Sequence, residues 1–415
     1  MVEISGEHDA HSSEGGVMRV VNRILVSLLV TLALLASNTA TAEESAVSAS
    51  CFVKSKSCVP AKFIKQAKSK SLSNPAILVT DPATGVVLYQ NRPDSPSVPA
   101  SVMKVLTSYT ALTFLGGDKR FATSIYRVET GTTFMIVGER DPWLTMFRSV
   151  SLKYGPAFAP DLINVALAQF GEGERPKRIT LLYSKLYPSD VAGLKSHFKS
   201  GDVKVTFKEI SGKEAKLRSD EPLYQILSPT VNQMVEFLIR FSDNRLADRL
   251  AVHAAIAHGY EGDKRGLQQS YQDALLAREI GIDGLNVEDG SGLSKQNRIT
   301  SRMVVDLLNK TRGLPEYQSI YQGLPTSGKT GTLKKRFKES APDAVGLVRA
   351  KTGWVNGSVS LAGLITSGDK EYTFAVIADR IPRYYSATER ARAAIDRMIG
   401  SLAKPANTEI LEASG

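Results

Sequence analysis

Metal-ligating residues are scarce in this chain. Its 415 residues include two cysteines and five scattered histidines. No set of thiolate or imidazole ligands is close enough in sequence to suggest a metal centre. Long apolar runs are missing as well. The most apolar stretch, Ile24–Ala36, is thirteen residues, short of the ~20 that a bilayer-spanning helix requires. Acidic residues are outnumbered, 42 Asp and Glu against 52 Lys and Arg, which gives a net charge of +10.

What is present at the N-terminus reads as a targeting segment covering residues 1–42. Arg19 and Arg23 form a basic region, Ile24–Ala36 the apolar one, and Ala40-Thr41-Ala42 a small-x-small cleavage site. The run length points to cleavage after Ala42 rather than anchoring. Glu3, Glu7, Asp9 and Glu14 do not belong in such a segment, so Met18 is the expected start. Export to the periplasm or cell wall follows. In that oxidising space Cys51 and Cys58 could close a small disulfide loop. Ser48-Ala49-Ser50 makes Cys51 a poor lipidation site. Two basic clusters, Lys62 to Lys70 and Lys334 to Lys338, account for part of the charge. The simplest account of each is a solvated face. An anionic wall polymer or membrane surface suits an exported protein better than nucleic acid does.

Residues 43–74 are rich in Ser, Ala and Lys and read as a linker. Ala76–Thr80 and Val86–Tyr89 flank a turn at Asp81–Gly85, a strand hairpin. Pro99-Ala100-Ser101 opens a helix with Val102, Leu106, Tyr109 and Leu112 on one face, stopped by Gly116-Gly117. Residues 119–225 mix the strand-like Phe134–Val137 and the helix-like Asp161–Phe170 with polar loops, and read as an insertion. Ser228-Pro229 is expected to cap a helix carrying Val231, Val235 and Leu238, and another helix follows Asn244. Three β-rich segments, 345–351, 358–365 and 372–378, and a helix over Ser386–Leu402 close the chain. The class is α+β: an antiparallel sheet from both chain ends (75–118 and 226–405), flanked by helices, with an inserted domain (119–225).

Ser-x-x-Lys occurs four times, starting at Ser101, Ser196, Ser367 and Ser401, and Lys-Thr-Gly twice. Context separates the copies. Only Ser101 opens an apolar-faced helix directly after a hairpin. Ser196 and Ser367 are expected in polar loops, and Ser401 near the terminus. On a helix, i and i+3 share a face, so the Lys104 amine can reach the Ser101 hydroxyl. A serine attacks well only when a base takes its proton, and a lysine can do so only with a depressed pKa. Burial or a second cation, for which Lys351 is placed to serve, would supply the depression. Ser242-Asp243-Asn244 joins two helical stretches. Its three residue types favour a helix N-cap, but from a short loop they can also project into a cleft.

The first Lys-Thr-Gly, at Lys329, completes the string Gly323–Thr330, which formally matches a P-loop. That loop would have to follow a buried strand and open a helix, and neither neighbour fits, so no nucleotide is expected. The second, Lys351-Thr352-Gly353, ends a β-rich run. There a lysine can point into a cleft, while glycine lets a substrate backbone pair along the strand edge.

With Ser101–Lys104, Ser242–Asn244 and Lys351–Gly353 in this order, the chain resembles the class C low-molecular-mass penicillin-binding proteins, the D-Ala-D-Ala carboxypeptidase/endopeptidase family. The resemblance covers roughly residues 75–145 and 225–400. It also rests on Gly138–Leu144, which looks like the family's Gly-Asp-Pro-x-Leu loop, on Asp289–Ser294, and on Gly331–Phe337. It implies the transpeptidase-like fold, no cofactor, and peptidoglycan stem peptides as substrate. It further implies Ser101 as acyl-forming nucleophile, Lys104 as general base, Ser242 and Asn244 as proton relay and substrate clamp, and Lys351 and Thr352 as carboxylate ligands. The N–H groups of Ser101 and Trp354 would form the oxyanion hole. Trp354 stands where the family usually has Thr or Ser. The insertion is shorter than in the larger members, so their accessory-domain functions are not carried over. A β-lactam would acylate Ser101 and persist, because the chain has no Glu-x-x-Leu-Asn to activate a deacylating water. Two rivals remain: a β-lactamase with another deacylation base, and a wall-binding scaffold without turnover.

Overall fold

The computed structural model describes residues 58–128, 131–171 and 173–405. Met1–Cys58 with Thr84–Val86 group apart as a small unit, and the second unit, Val59–Ala83 with Val87–Gly415, carries everything that follows. The proposed targeting segment and Cys51 lie outside the described residues, and Cys58 is disulfide-bonded.

The first sheet has five antiparallel strands in the order β2-β1-β10-β9-β8. These are β1 Ala76–Thr80, β2 Val87–Asn91, β8 Val348–Val355, β9 Ser358–Ser367 and β10 Lys370–Ala378. Both ends of the chain therefore meet in one sheet, as the α+β outline expects. β1 lies between two partners and all five of its residues are buried, which explains its unbroken apolar run Ala-Ile-Leu-Val. Ile77, Val79, Val359 and Leu361 pack on one face with the terminal helix, Tyr385–Gly400. Leu78, Ala362 and Leu364 pack on the other with the helices Met103–Leu115, Val231–Phe241 and Asn244–Ala257. Met103 to Leu112 are all buried, so the Met103–Leu115 helix has no polar face at all. It runs through the centre of the helical layer instead of lying on the surface with one apolar stripe.

The stretch expected as a linker differs from that expectation where it is described. Ala61–Ala67 is a helix and Lys70–Leu72 a short 3-10 turn. Phe63 and Leu72 are fully buried in the core beneath the sheet, and Phe63 meets the Tyr89 ring edge-on at 4.9 Å. The Ser- and Lys-rich composition concealed an i, i+4 pair, Phe63 and Ala67, which is enough to dock one short helix. The Val231–Phe241 helix is capped two residues later than Ser228-Pro229 suggests. Thr230 and Gln233 form a reciprocal capping box there. Ser196 ends the helix Pro188–His197 rather than lying in a loop.

Residues 119–225 build a second five-stranded sheet, β6-β5-β4-β3-β7. It comprises β3 Ala122–Arg127, β4 Thr133–Gly138, β5 Arg178–Ser184, β6 Lys204–Glu209 and β7 Tyr224–Leu227. β4, β5 and β6 are parallel, and parallel neighbours need long crossovers. The helices Pro160–Leu167 and Pro188–His197 lie in those crossovers and bury Leu162, Ile163, Val191 and Leu194 with Phe134 and Ile136. Arg249, from the Asn244–Ala257 helix, reaches into this layer. It pairs with buried Asp190 at 2.9 Å, donates to Ser189 Oγ at 2.7 Å and to the Pro142 carbonyl at 3.2 Å, and stacks over Tyr187.

Replacing Phe63 by alanine tests whether residues 59–74 belong to the folded core. Emptying a fully buried aromatic site is expected to cost ~3–5 kcal/mol in urea unfolding. A tether would show less than ~0.5 kcal/mol.

Candidate active site

The site forms where the sheet's open edge meets the helical layer. Ser101 lies in a 3-10 turn, Ala100–Val102, that runs straight into the Met103–Leu115 helix. Ala100 adopts φ +47°, a left-handed conformation unusual for a residue with a side chain. Its carbonyl is pressed against Gly292, where a Cβ would come within 1.9 Å of it. One helical turn on, Lys104 is fully buried. Its Nζ donates to Ser101 Oγ at 2.9 Å, to Asn244 Oδ1 at 2.8 Å and to the Ser291 carbonyl at 2.5 Å. Three protons on an ammonium thus meet three acceptors from three chain segments. Burial lowers the Lys104 pKa to about 8, against the opposing charges of Asp248, Asp289 and Asp243.

Each acceptor is held by its own local structure. Ser291 belongs to a loop wound round Asp289. That carboxylate accepts from the N–H groups of Gly292 (2.6 Å), Leu293 (3.2 Å) and Ser294 (2.7 Å), and from Asn297 Nδ2 (3.0 Å). Asp248 fixes the Ser291 N–H at 2.8 Å. Ser242 closes the Val231–Phe241 helix at φ +62°. Asp243 then caps the next helix, accepting from the Leu246 N–H at 2.9 Å. The triplet is therefore a helix cap and a site element at once: Asp243 caps, while Ser242 and Asn244 contact the two lysines.

Lys351 is the second buried lysine. Its Nζ donates to Ser242 Oγ at 2.9 Å and to the Thr352 carbonyl at 2.8 Å. Burial, reinforced by the neighbouring Lys104 charge, holds its pKa well below the usual lysine value. Thr352 Oγ1 donates to Thr332 Oγ1 at 2.7 Å. Gly353 has no room for a side chain: a Cβ would lie 2.1 Å from Ser360 Oγ, 2.7 Å from the Pro99 carbonyl and 3.0 Å from the Ser101 nitrogen. Glycine is what lets β8 approach the nucleophile's backbone.

β8 is an edge strand. The Val348 N–H is taken by Ser327 Oγ and the Ala350 N–H by the Pro325 carbonyl. The two-residue alternation of a strand directs the Thr352 and Trp354 N–H groups to the same open side, where an extended ligand can pair with them. Trp354 itself is 52% exposed, with the Arg392 guanidinium 5.5 Å from its ring centroid. A cleft of about 580 Å³ holds Ser101, Ser242, Thr352 and Trp354.

All eight residues singled out in the sequence, Ser101, Lys104, Ser242, Asn244, Lys351, Thr352, Gly353 and Trp354, meet at this cleft or in the lysine network beneath it. The discarded copies do not. The Gly323–Thr330 string follows the helix Gln318–Gly323 and enters a single 3-10 turn, Gly331–Leu333, so no strand leads into it and no long helix opens after it. Two contributors carried no assigned role in the sequence, the Ser291 carbonyl and the Thr332 hydroxyl. Both fall in segments, Asp289–Ser294 and Gly331–Phe337, that were marked only by family likeness.

A family model described as the D-Ala-D-Ala carboxypeptidase 3 (S13) family matches residues 61–149 and 190–402. The chain is 26% identical over 394 residues to a carboxypeptidase DacB of Mycolicibacterium smegmatis, covering 81% of this chain and 83% of that protein. In fold it is similar to penicillin binding protein 4 of Haemophilus influenzae, with a TM-score of 0.64 at 15% identity over 79% of this chain and 95% of the other. It is also similar to a penicillin G-acylated predatory endopeptidase of Bdellovibrio bacteriovorus, with a TM-score of 0.58 at 16% identity over 80% and 93%. At these identities the structural likeness speaks for the fold alone.

If the Lys104 amine activates Ser101, uptake of an acylating probe at Ser101 is expected to fall as the pH drops below about 8, because the protonated amine has no lone pair. The slope approaches about tenfold per pH unit for a single ionisation. Stopped-flow acylation rates between pH 6 and 9 check this, and a flat profile contradicts it.

Proposed function

The chain belongs to the D-Ala-D-Ala carboxypeptidase 3 (S13) family and is a serine-type D-Ala-D-Ala carboxypeptidase; from that premise we propose how its residues divide the work. Ser101 is the nucleophile, Lys104 its base, Ser242 the proton relay, Asn244 and Thr352 the substrate ligands, and Lys351 the charge that serves the relay and the substrate carboxylate. One observation carries this assignment. Lys104 Nζ lies 2.9 Å from Ser101 Oγ while Lys351 Nζ lies 2.9 Å from Ser242 Oγ, so each hydroxyl has its own buried amine.

The substrate is a peptidoglycan stem peptide ending in D-Ala-D-Ala, paired along the open edge of β8 with its terminal carboxylate at Thr352 and Lys351. Ser101 Oγ bonds to the carbonyl carbon of the penultimate D-alanine as its proton passes to Lys104. The oxyanion forms between the N–H groups of Ser101 and Trp354. The C–N bond then breaks, the leaving nitrogen takes a proton through Ser242, and D-alanine departs. Water hydrolyses the ester by the reverse path. When the leaving nitrogen belongs to a neighbouring stem peptide, the same steps cleave a cross-link, which is endopeptidase activity. A β-lactam enters through its own carbonyl and remains on Ser101. The penicillin G-acylated fold relative supports that step. Export, read from residues 1–42, places the protein where such polymers lie. Its net charge of +10 suits an anionic wall or membrane surface.

Wild type and Ser101→Ala should be compared with fluorescent penicillin and with a D-Ala-D-Ala-terminated peptide. The wild type is expected to form a persistent one-to-one adduct and to release D-alanine, and the variant to do neither. Equal labelling of both proteins, or of neither, defeats the assignment. Rapid turnover of a chromogenic cephalosporin would make the protein a β-lactamase instead.

A further inference from the structure

The cleft does not end at the three motifs. Beyond Thr352 and Thr332 it continues between the segment Gly331–Phe337 and the start of the terminal helix, where Lys335, Trp354, Tyr385 and Arg392 line it. A single leaving D-alanine with its carboxylate on Thr352 occupies only the near end of a cavity of about 580 Å³.

The charged groups of this far half are unequally committed. Arg336 pairs with Asp396 at 2.5 Å and donates to the Arg392 carbonyl. Arg392 Nη1 donates to Glu389 at 2.5 Å. That contact, with the Trp354 ring under the guanidinium, holds the side chain in place and leaves Nε and Nη2 without a hydrogen bond among the described residues. Lys335 is exposed and Glu339 lines the same wall, and neither has an ion pair among the described residues. Lys335 is three residues from Thr332, whose hydroxyl is bonded to that of Thr352. A group that extends from a leaving residue held on Thr352 therefore passes Lys335 first and Arg392 next.

We propose that this half of the cleft is a leaving-side subsite for an anionic peptide, in which Lys335 and Arg392 receive free carboxylates of the chain that carries the leaving amine. The inference rests on the acyl-transfer reading above and names what sets its preference on the leaving side. The bond that forms is Ser101 Oγ to the D-alanyl carbonyl carbon. The bond that breaks joins that carbon to the nitrogen of the second peptide, which leaves as an amine with the proton relayed by Ser242. Glu339 sits where it would repel a misplaced carboxylate and accept an amide N–H or ammonium of the same chain.

The test uses the full protein and three substrates: a D-Ala-D-Ala-terminated monomer, a cross-linked dimer with free carboxylates on the leaving chain, and the same dimer with those carboxylates amidated. The wild type is expected to cleave the free-carboxylate dimer with a kcat/KM at least about tenfold above that of the amidated one, about 1.4 kcal/mol of discrimination. Lys335→Ala and Arg392→Gln are each expected to reduce that ratio about threefold or more, and Lys335→Arg to keep it. If the wild type releases D-alanine from the monomer but the two dimers react alike, or if neither variant changes their ratio, the subsite is refuted while the acyl-transfer reading stands. If the monomer yields no D-alanine and fluorescent penicillin does not label Ser101, the underlying reading has failed and the subsite fails with it.

Discussion

A buried lysine amine with three acceptors is the constraint on which the rest of this structure depends. Lys104 has no access to water, and an ammonium removed from water without partners costs several kcal/mol. Its partners come from the turn after the first hairpin, from the junction of two helices and from the loop round Asp289. If any of the three is misplaced, the amine loses a bond in a place where nothing replaces it. The same contacts that satisfy the lysine also bring Ser101, Asn244 and Ser291 together, so folding the helical layer and assembling the site are one event.

The surrounding features serve that arrangement. Ala100 and Ser242 both sit in the left-handed region, conformations that persist only where neighbours enforce them. Gly292 and Gly353 press on this turn from two sides, the first against the Ala100 carbonyl and the second near the Ser101 nitrogen. The second sheet is tied to the same framework. Arg249, five residues beyond Asn244, is buried with Asp190, and Asp141 lies close by with its carboxyl raised by burial to about 7.

Much of this was legible before any coordinates. Ser101 and Lys104 stand at i and i+3 on a helix, and a single helix turn is local geometry that sequence spacing encodes directly. Lys351 was separable from Lys329 because a β-rich run and a hairpin surround it. The antiparallel sheet followed from β-branched segments at both chain ends. Other parts were hidden for identifiable reasons. The Ser291 carbonyl is a backbone group and carries no residue-type signal. Thr332 acts through a hydroxyl that any surface threonine also has. The helix at Ala61–Ala67 depends on one buried aromatic in a polar stretch. The second sheet relies on parallel pairing between strands separated by helices, and β6, Lys-Val-Thr-Phe-Lys-Glu, reads as a polar segment because it forms an exposed edge.

The two lysines raise a question of proton placement that the geometry answers. Lys104 has three aspartates acting to keep its charge, whereas for Lys351 both burial and Lys104 act against it. In the empty cleft the proton therefore favours Lys104, which is the wrong lysine for a base. A substrate carboxylate arriving at Thr352 brings a negative charge beside Lys351 and none beside Lys104, so it favours charge on Lys351. A cation there depresses Lys104 further, through the same repulsion that in the empty site runs the other way. On the proposed mechanism, the terminal carboxylate both positions the peptide and moves the charge to the lysine that does not have to act as a base. A peptide without that carboxylate can occupy the edge of β8 and still leave Lys104 protonated. The requirement for a free C-terminal carboxylate then resides in the proton balance of two amines as much as in the hydroxyl of Thr352.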